Sequence, residues 1–224
     1  KIGEKIIFRF KNEIPPPSEG IFEAEKTEIF QAIDVFMIVE KKRKAKVEPL
    51  MFEVFFEGIT PDNFSDFPLK LRGRIDRIDR VKKGKYRVID YKTGRYSKFQ
   101  NIKYFGGGQV LQHALYALAA EKLIKEKGVD KAPKVIESGY SFPTPRGEGN
   151  EVIFKEFNRK DFKAIIDEIV KIMTTGQFVV NPEAKCDFCD YADICGPEAV
   201  KRAKYKQQYN PDEFEHLNKL KSYK

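Results

Sequence analysis

Apolar residues change their spacing several times along the chain, and each change predicts a different element. From Ser18 to Glu40, the residues Ile21, Phe22, Ile29, Phe30, Ile33, Phe36 and Met37 recur mostly three or four positions apart. That spacing describes one face of a long helix, with Ser18 placed to cap it. Between residues 50 and 92 the period drops to two, so that 51–56, 69–80 and 86–91 read as three successive strands. Pro61-Asp62-Asn63 and Lys82-Lys83-Gly84 separate them, and the last two form a hairpin. Gly106-Gly107-Gly108 leads into a helix over 109–125 with Leu111, Leu115 and Leu118 on one side. A fourth strand fits 134–142, and a fifth fits 151–157 beyond a turn-forming stretch. The clearest helix is 159–175, with Asn158 as N-cap, the stripe Phe162, Ile165, Ile166, Ile169 and Met173, and Gly176 as stop.

The ends carry less pattern. Residues 1–17 close on Pro15-Pro16-Pro17 and are expected to be a spacer. The run Lys41-Lys42-Arg43-Lys44-Ala45-Lys46 reads as a solvated helix end, with a phosphate-binding patch or a nuclear localisation signal as alternatives. The polar stretch from Tyr205 is expected to be either a helix docked elsewhere or a frayed end. Three regions follow: a spacer and amphipathic helix over 1–48, a core over 49–178, and a cysteine-bearing tail with an extension over 179–224. Strands interleaved with helices make this an α/β chain.

Composition removes several classes. The 224 residues, 41% hydrophobic and 34% charged, are too apolar for a disordered tail and too charged for a membrane protein. No apolar run approaches the roughly 18 residues of a membrane span, and no signal peptide opens the chain, so a cytoplasmic location is expected. Area scaling for this mass leaves roughly 10,500 Å² exposed, enough burial for a core without disulfide staples. The net charge of +8 favours polyanionic partners such as nucleic acid. Because Lys1 is not an initiator Met, a processed chain or a fragment of a longer protein is expected.

The chemistry concentrates at residues 73–92. Strand alternation puts Val88, Asp90 and Lys92 on one face, the charged pair about 7 Å apart along the chain. By itself this is weak, since 34 acids and 31 lysines generate about five acid-x-Lys triplets by chance. The neighbouring strand, Gly73-Arg74-Ile75-Asp76-Arg77-Ile78-Asp79, can bring a second carboxylate beside Asp90. Two carboxylates suit Mg²⁺, which completes its shell with water and phosphate oxygens. Equally open is a reading in which Asp76, Asp79, Arg77 and Arg80 form cross-strand ion pairs on a solvated sheet face.

Taken in order, Gly73 to Asp79, then Val88-Ile89-Asp90-Tyr91-Lys92-Thr93-Gly94, then Gln112-x3-Tyr116 on a helix, the sequence resembles the RecB-type nucleases of the PD-(D/E)XK superfamily from about Phe52 to Cys195. The resemblance implies a restriction-endonuclease-like core, a central mixed sheet flanked by helices, and a DNA phosphodiesterase that uses Mg²⁺ or Mn²⁺. By position, Asp76, Asp90 and the Tyr91 carbonyl would hold the metal, Lys92 would be the catalytic lysine, and Gln112 and Tyr116 would border the DNA path. Arg95, Lys98 and Lys103, between that strand and that helix, are the expected backbone-phosphate contacts. The family also carries a metal-site residue, often His, on an upstream helix. Here no His precedes His113, so that helix is expected before Lys1, with Glu40 and Glu53 as lesser candidates. His113 and His216 are expected to be structural or solvated.

All three cysteines fall in Cys186-x2-Cys189-x5-Cys195, with Phe188, Tyr191 and Ile194 between them. Clustered thiols in a reducing compartment point to a soft metal, and generically to zinc, which His216 could complete as a Cys₃His site. The segment is similar to the C-terminal part of the iron-sulfur clamp of AddB-like and CRISPR-associated RecB-like nucleases. That implies a 4Fe-4S cluster in the full-length protein, with the fourth thiolate far upstream, absent or incomplete in this chain. The expected setting is DNA repair or recombination beside a helicase subunit or domain. A CRISPR-associated exonuclease and a catalytically silent DNA-binding module are the rivals.

Overall fold

Five strands pair in chain order in the computed structural model, which describes residues 2–43, 47–62, 64–103, 105–187 and 189–223. They are β1 (Glu48–Ile59), β2 (Leu71–Lys82), β3 (Lys85–Tyr91), β4 (Lys134–Ser141) and β5 (Glu151–Lys155). Neighbours run antiparallel except β3 and β4, which are parallel. A parallel pair needs a long crossover, and helix α3 (Gln112–Glu126), numbered after the N-terminal helices α1 (Ile2–Glu13) and α2 (Glu19–Arg43), provides it. The chain then continues through α4 (Arg159–Thr175), α5 (Ala192–Cys195), α6 (Ala199–Tyr209) and α7 (Glu215–Ser222). The expected mixed sheet flanked by helices is therefore present.

The core forms where α3 lies on the sheet. Ala117, Ala120, Leu123 and Ile124 pack against Ile75, Ile78, Tyr86 and Val88, and the small alanines let the helix approach closely. Each buried aliphatic side chain contributes about 1.5–3 kcal/mol. A second cluster joins Phe162, Ile165 and Ile166 of α4 to Leu118, Phe105 and Leu220. Helix α4 has the expected limits: Asn158 accepts from the Lys160 and Asp161 amides, and Gly176 stops it at φ 70°. Between β4 and β5 a Cβ on Gly139 would lie 2.1 Å from the Val152 carbonyl, so this pairing requires glycine.

Four expectations need correction. Residues 2–13 are helical, not a spacer: Gly3 lets α1 sit against Phe30 and Ile33 of α2, and the Phe8 and Phe22 rings meet at 6.1 Å. Helix α3 starts at Gln112, because Gly106, Gly107 and Gly108 all take positive φ in a tight turn. Strand β5 stops at Lys155, where Glu156 takes a positive φ. In the basic run, Lys41 and Lys42 are exposed, but Arg43 is buried and ion-paired with Glu40 and Glu151; Lys44, Ala45 and Lys46 lie outside the described residues. Of the two outcomes allowed for the C-terminus, docking is observed, with α7 packed on α4 and the Gly107 amide donating to the Tyr223 carbonyl at 2.8 Å.

The accessible surface, 14,805 Å², exceeds the roughly 10,500 Å² of area scaling. Helix α1 buries no residue and α2 buries three, so Ile6, Phe10, Ile29 and Met37 stay exposed. Among the described residues no helix is long and apolar enough to cross a membrane.

Candidate active site

Strand β3 ends on its functional residues. Asp90 is 6% exposed, with one oxygen, Oδ2, 2.6 Å from Lys92 Nζ. Gln112, the first residue of α3, closes a triangle: its Nε2 donates to Asp90 Oδ1 at 3.0 Å and its Oε1 accepts from Lys92 Nζ at 2.9 Å. Asp76 of β2 accepts the Tyr91 amide N–H on Oδ2 at 2.7 Å. Burial pushes the Asp90 carboxyl above its usual range; Lys92 opposes this and the Asp76 charge adds to it. The two carboxylates therefore share one electrostatic environment, as the hairpin predicted.

Arg80 fits the competing reading of cross-strand ion pairs, whereas Arg77 and Asp79 pair within β2 itself. Arg77 Nε lies 2.6 Å from Asp79 Oδ1, and Arg80 lies 3.0 Å from Glu48. Arg77 and Asp79 are buried, however, beneath α2 and not on a solvated face. Arg77 also reaches Glu40 at 2.8 Å and the Tyr91 hydroxyl at 3.2 Å. This network was missed in sequence, where one turn of α2 and two strands cannot be seen to meet.

The donor set fits a hard cation. Asp76 and Asp90 are the kind of carboxylate pair that Mg²⁺ takes with water, and the Tyr91 backbone between Asp90 and Lys92 offers a carbonyl. Asp90 Oδ2 is buried with no hydrogen bond beyond the ion pair to Lys92. Among the described residues no three His, Cys, Asp or Glu side chains converge on one point, so two side-chain carboxylates define the site. When bound, a divalent cation polarises a phosphate oxygen and acidifies a water. The Lys92 ammonium is held by Asp90 and Gln112.

The lesser metal candidates are committed elsewhere. Glu40 pairs with Arg43 and Arg77, and Glu53 lies 3.6 Å from Arg74 at the surface. His113 is buried, stacked on Phe154 at 4.1 Å with Nδ1 3.2 Å from the Ser138 hydroxyl, which makes it a core residue. His216 Nδ1 lies 2.7 Å from Glu168 Oε2, an interaction within the α4–α7 contact.

Tyr116, one turn along α3 from Gln112, sets its ring edge-on to Phe56 at 6.2 Å and is half-buried. Arg95, Lys98 and Lys103 are exposed on the segment after β3, which Tyr96, Phe99 and Ile102 anchor against Tyr140 and Phe142. Cys186, Cys189 and Cys195 are free thiols lining one cavity of about 820 Å³ with Phe178, Ile194 and Leu217. Among the described residues they do not converge as a ligand set; Phe188 lies outside the described residues.

The chain is 39% identical over 132 residues to a subunit of the ATP-dependent helicase/deoxyribonuclease of Lachnoclostridium phytofermentans, covering 56% of this chain and 11% of that protein. It is 27% identical over 155 residues to the corresponding ATP-dependent helicase/deoxyribonuclease subunit from Clostridium novyi, covering 62% of this chain and 14% of that one. The chain thus spans a small part of the length of the relatives it matches. A model of the PD-(D/E)XK nuclease superfamily matches residues 8–196. With that match across most of its length, the chain belongs to the PD-(D/E)XK nuclease superfamily.

Proposed function

We propose that this chain is the nuclease domain of a DNA-processing protein and hydrolyses DNA phosphodiesters with Mg²⁺ or Mn²⁺. The observation that carries the reading is the triangle of Asp90, Lys92 and Gln112, with Asp76 close enough to raise the Asp90 carboxyl. Asp76, Asp90 and the Tyr91 carbonyl hold the metal, and Lys92 stabilises the transition-state charge. Gln112 and Tyr116 border the path of the strand, and the exposed Arg95, Lys98 and Lys103 grip its phosphates. The names of both relatives favour a helicase-linked setting in repair or recombination over the CRISPR-associated alternative. The test is cleavage of linear DNA with Mg²⁺, Mn²⁺ or EDTA by the parent, Asp76→Asn, Asp90→Asn and Lys92→Ala. Loss by orders of magnitude in all three supports the reading; variants as fast as the parent overturn it. An inactive parent that still binds DNA leaves the silent module in its place.

An iron-sulfur cluster on Cys186, Cys189 and Cys195 is the finer reading of the tail. Its support is their spacing and their shared cavity. Iron and sulfide analysis after anaerobic purification checks it, and stoichiometric zinc without iron would replace it.

A further inference from the structure

The end of β3 is held from both faces of the sheet. On one face lie Asp90, Lys92 and Gln112. On the other, Tyr91 points beneath α2, where its ring meets Phe36 edge-on at 5.8 Å and its hydroxyl accepts from Arg77 at 3.2 Å. Arg77 is 2% exposed and Arg43 is 5% exposed, and both guanidinium groups reach Glu40 Oε1. Arg43 continues to the Ser141 hydroxyl at 3.2 Å, and the Ser141 carbonyl accepts the Lys92 amide at 2.9 Å. Two buried chains of contact therefore leave Glu40. One ends on Tyr91 and the other on the backbone of Lys92.

We propose that Glu40, Arg77 and Arg43 are positioning residues that set, from the face opposite the reacting groups, where the Tyr91 carbonyl and the Lys92 side chain sit. This rests on the nuclease reading above. A side chain that alternates outward at residue 91 cannot touch the substrate on the Asp90 face, yet fixing it fixes the peptide joining Asp90 to Lys92. The guanidinium groups are costly to desolvate, and besides the shared Glu40 each keeps a second carboxylate, Asp79 for Arg77 and Glu151 for Arg43. The arrangement is therefore discrete, and α2, though mostly exposed, governs the geometry of the site through its last turns. Partners that orient metal ligands in this way affect metal affinity and leave the bulk of the fold alone.

The full chain carries the test, in three variants. Tyr91→Phe removes one hydroxyl and keeps the carbonyl. Glu40→Gln removes the shared charge, and Arg80→Ala, on the same strand but outside the network, is the control. Three readouts apply: Mn²⁺ affinity by calorimetry, hydrogen exchange of the segment holding the Tyr91 and Lys92 amides, and the Mg²⁺ dependence of DNA cleavage. We expect Tyr91→Phe and Glu40→Gln to weaken Mn²⁺ binding about tenfold and to raise the Mg²⁺ needed for half-maximal cleavage similarly. Their amides should exchange about tenfold faster, while Arg80→Ala matches the parent. Parent-like metal affinity and exchange in a folded Tyr91→Phe protein overturns the proposal, and that variant decides if Glu40→Gln fails to fold. Weakened Mn²⁺ binding in a chain whose parent never cuts DNA keeps the positioning role and removes the nuclease reading. An active parent with indifferent variants does the reverse.

Discussion

Gln112 Nε2 donates to Asp90 Oδ1 across 3.0 Å, joining the first residue of helix α3 to the last part of strand β3. The same amide accepts from Lys92 through Oε1 at 2.9 Å, so one uncharged side chain sets the angle between an anion and a cation. Replacing it separates orientation from charge. Gln112→Ala is expected to lower DNA cleavage about 10–100-fold with the fold intact. Gln112→Glu, which faces a carboxylate with another carboxylate, should lose more and raise the pH at which cleavage rises. Rates measured from pH 6 to 9 for both variants check this; equal rates in parent and alanine variant would remove the orienting role.

Asp90 trades stability for function. Its carboxyl is raised by burial, so the folded state holds a proton more readily than the unfolded one, and stability falls as pH rises through the folded pKa. At neutral pH the ionised form therefore costs stability. Asp90→Asn removes that cost and relieves repulsion from Asp76, so the melting temperature should rise by about 2–4 °C while metal-dependent cleavage is lost. Calorimetry at pH 7.5 without divalent metal is the check, and a lower melting temperature in the variant contradicts it.

DNA binding should be insensitive to sequence and steep in salt. With a net charge of +8 and exposed Arg95, Lys98 and Lys103 beside the site, binding releases counterions from the phosphates. The slope of log affinity against log salt should flatten by about one for each of the three replaced by Ala. Fluorescence anisotropy with unrelated duplexes from 50 to 200 mM salt measures it, and an unchanged slope in the triple variant would assign the contact to other residues.

The docked C-terminus should loosen in acid. Burial alone would raise the Glu168 carboxyl, but bonds from Lys219, Lys171 and His216 outweigh it and hold the group at about 2, below its usual 4.5. A folded pKa below the unfolded one contributes stability that is present above the unfolded value and lost as pH falls from about 4.5 toward 2. The contribution is on the order of 2 kcal/mol. Urea denaturation at pH 5.5 and pH 3 should show a larger loss for the parent than for Glu168→Gln; identical losses would contradict the assignment.

Periodicity alone was sufficient for the elements whose stability is local or one-sided. Helix α4 carries its own cap, apolar stripe and glycine stop, and β2 and β3 showed a period of two, although residues Tyr86 to Asp90 of β3 are buried on both faces. The order of motifs around Asp76, Asp90 and Lys92 was legible as a resemblance to a nuclease family, and a two-stranded hairpin places the backbones that carry them through short-range pairing. Helix α1 was not read as one, although Ile2, Ile6, Ile7 and Phe10 recur at helical spacing, because it runs up to Pro15-Pro16-Pro17 and finds its support only in α2. Nor was the fate of Glu40, Arg43 and Arg77 legible. Charged residues look alike in sequence whether solvated or buried, and only the meeting of α2 with β2, β3 and β4 decides which charges lose water and must pair. The same holds for Gln112, whose place beside Asp90 depends on where a glycine turn lets α3 begin.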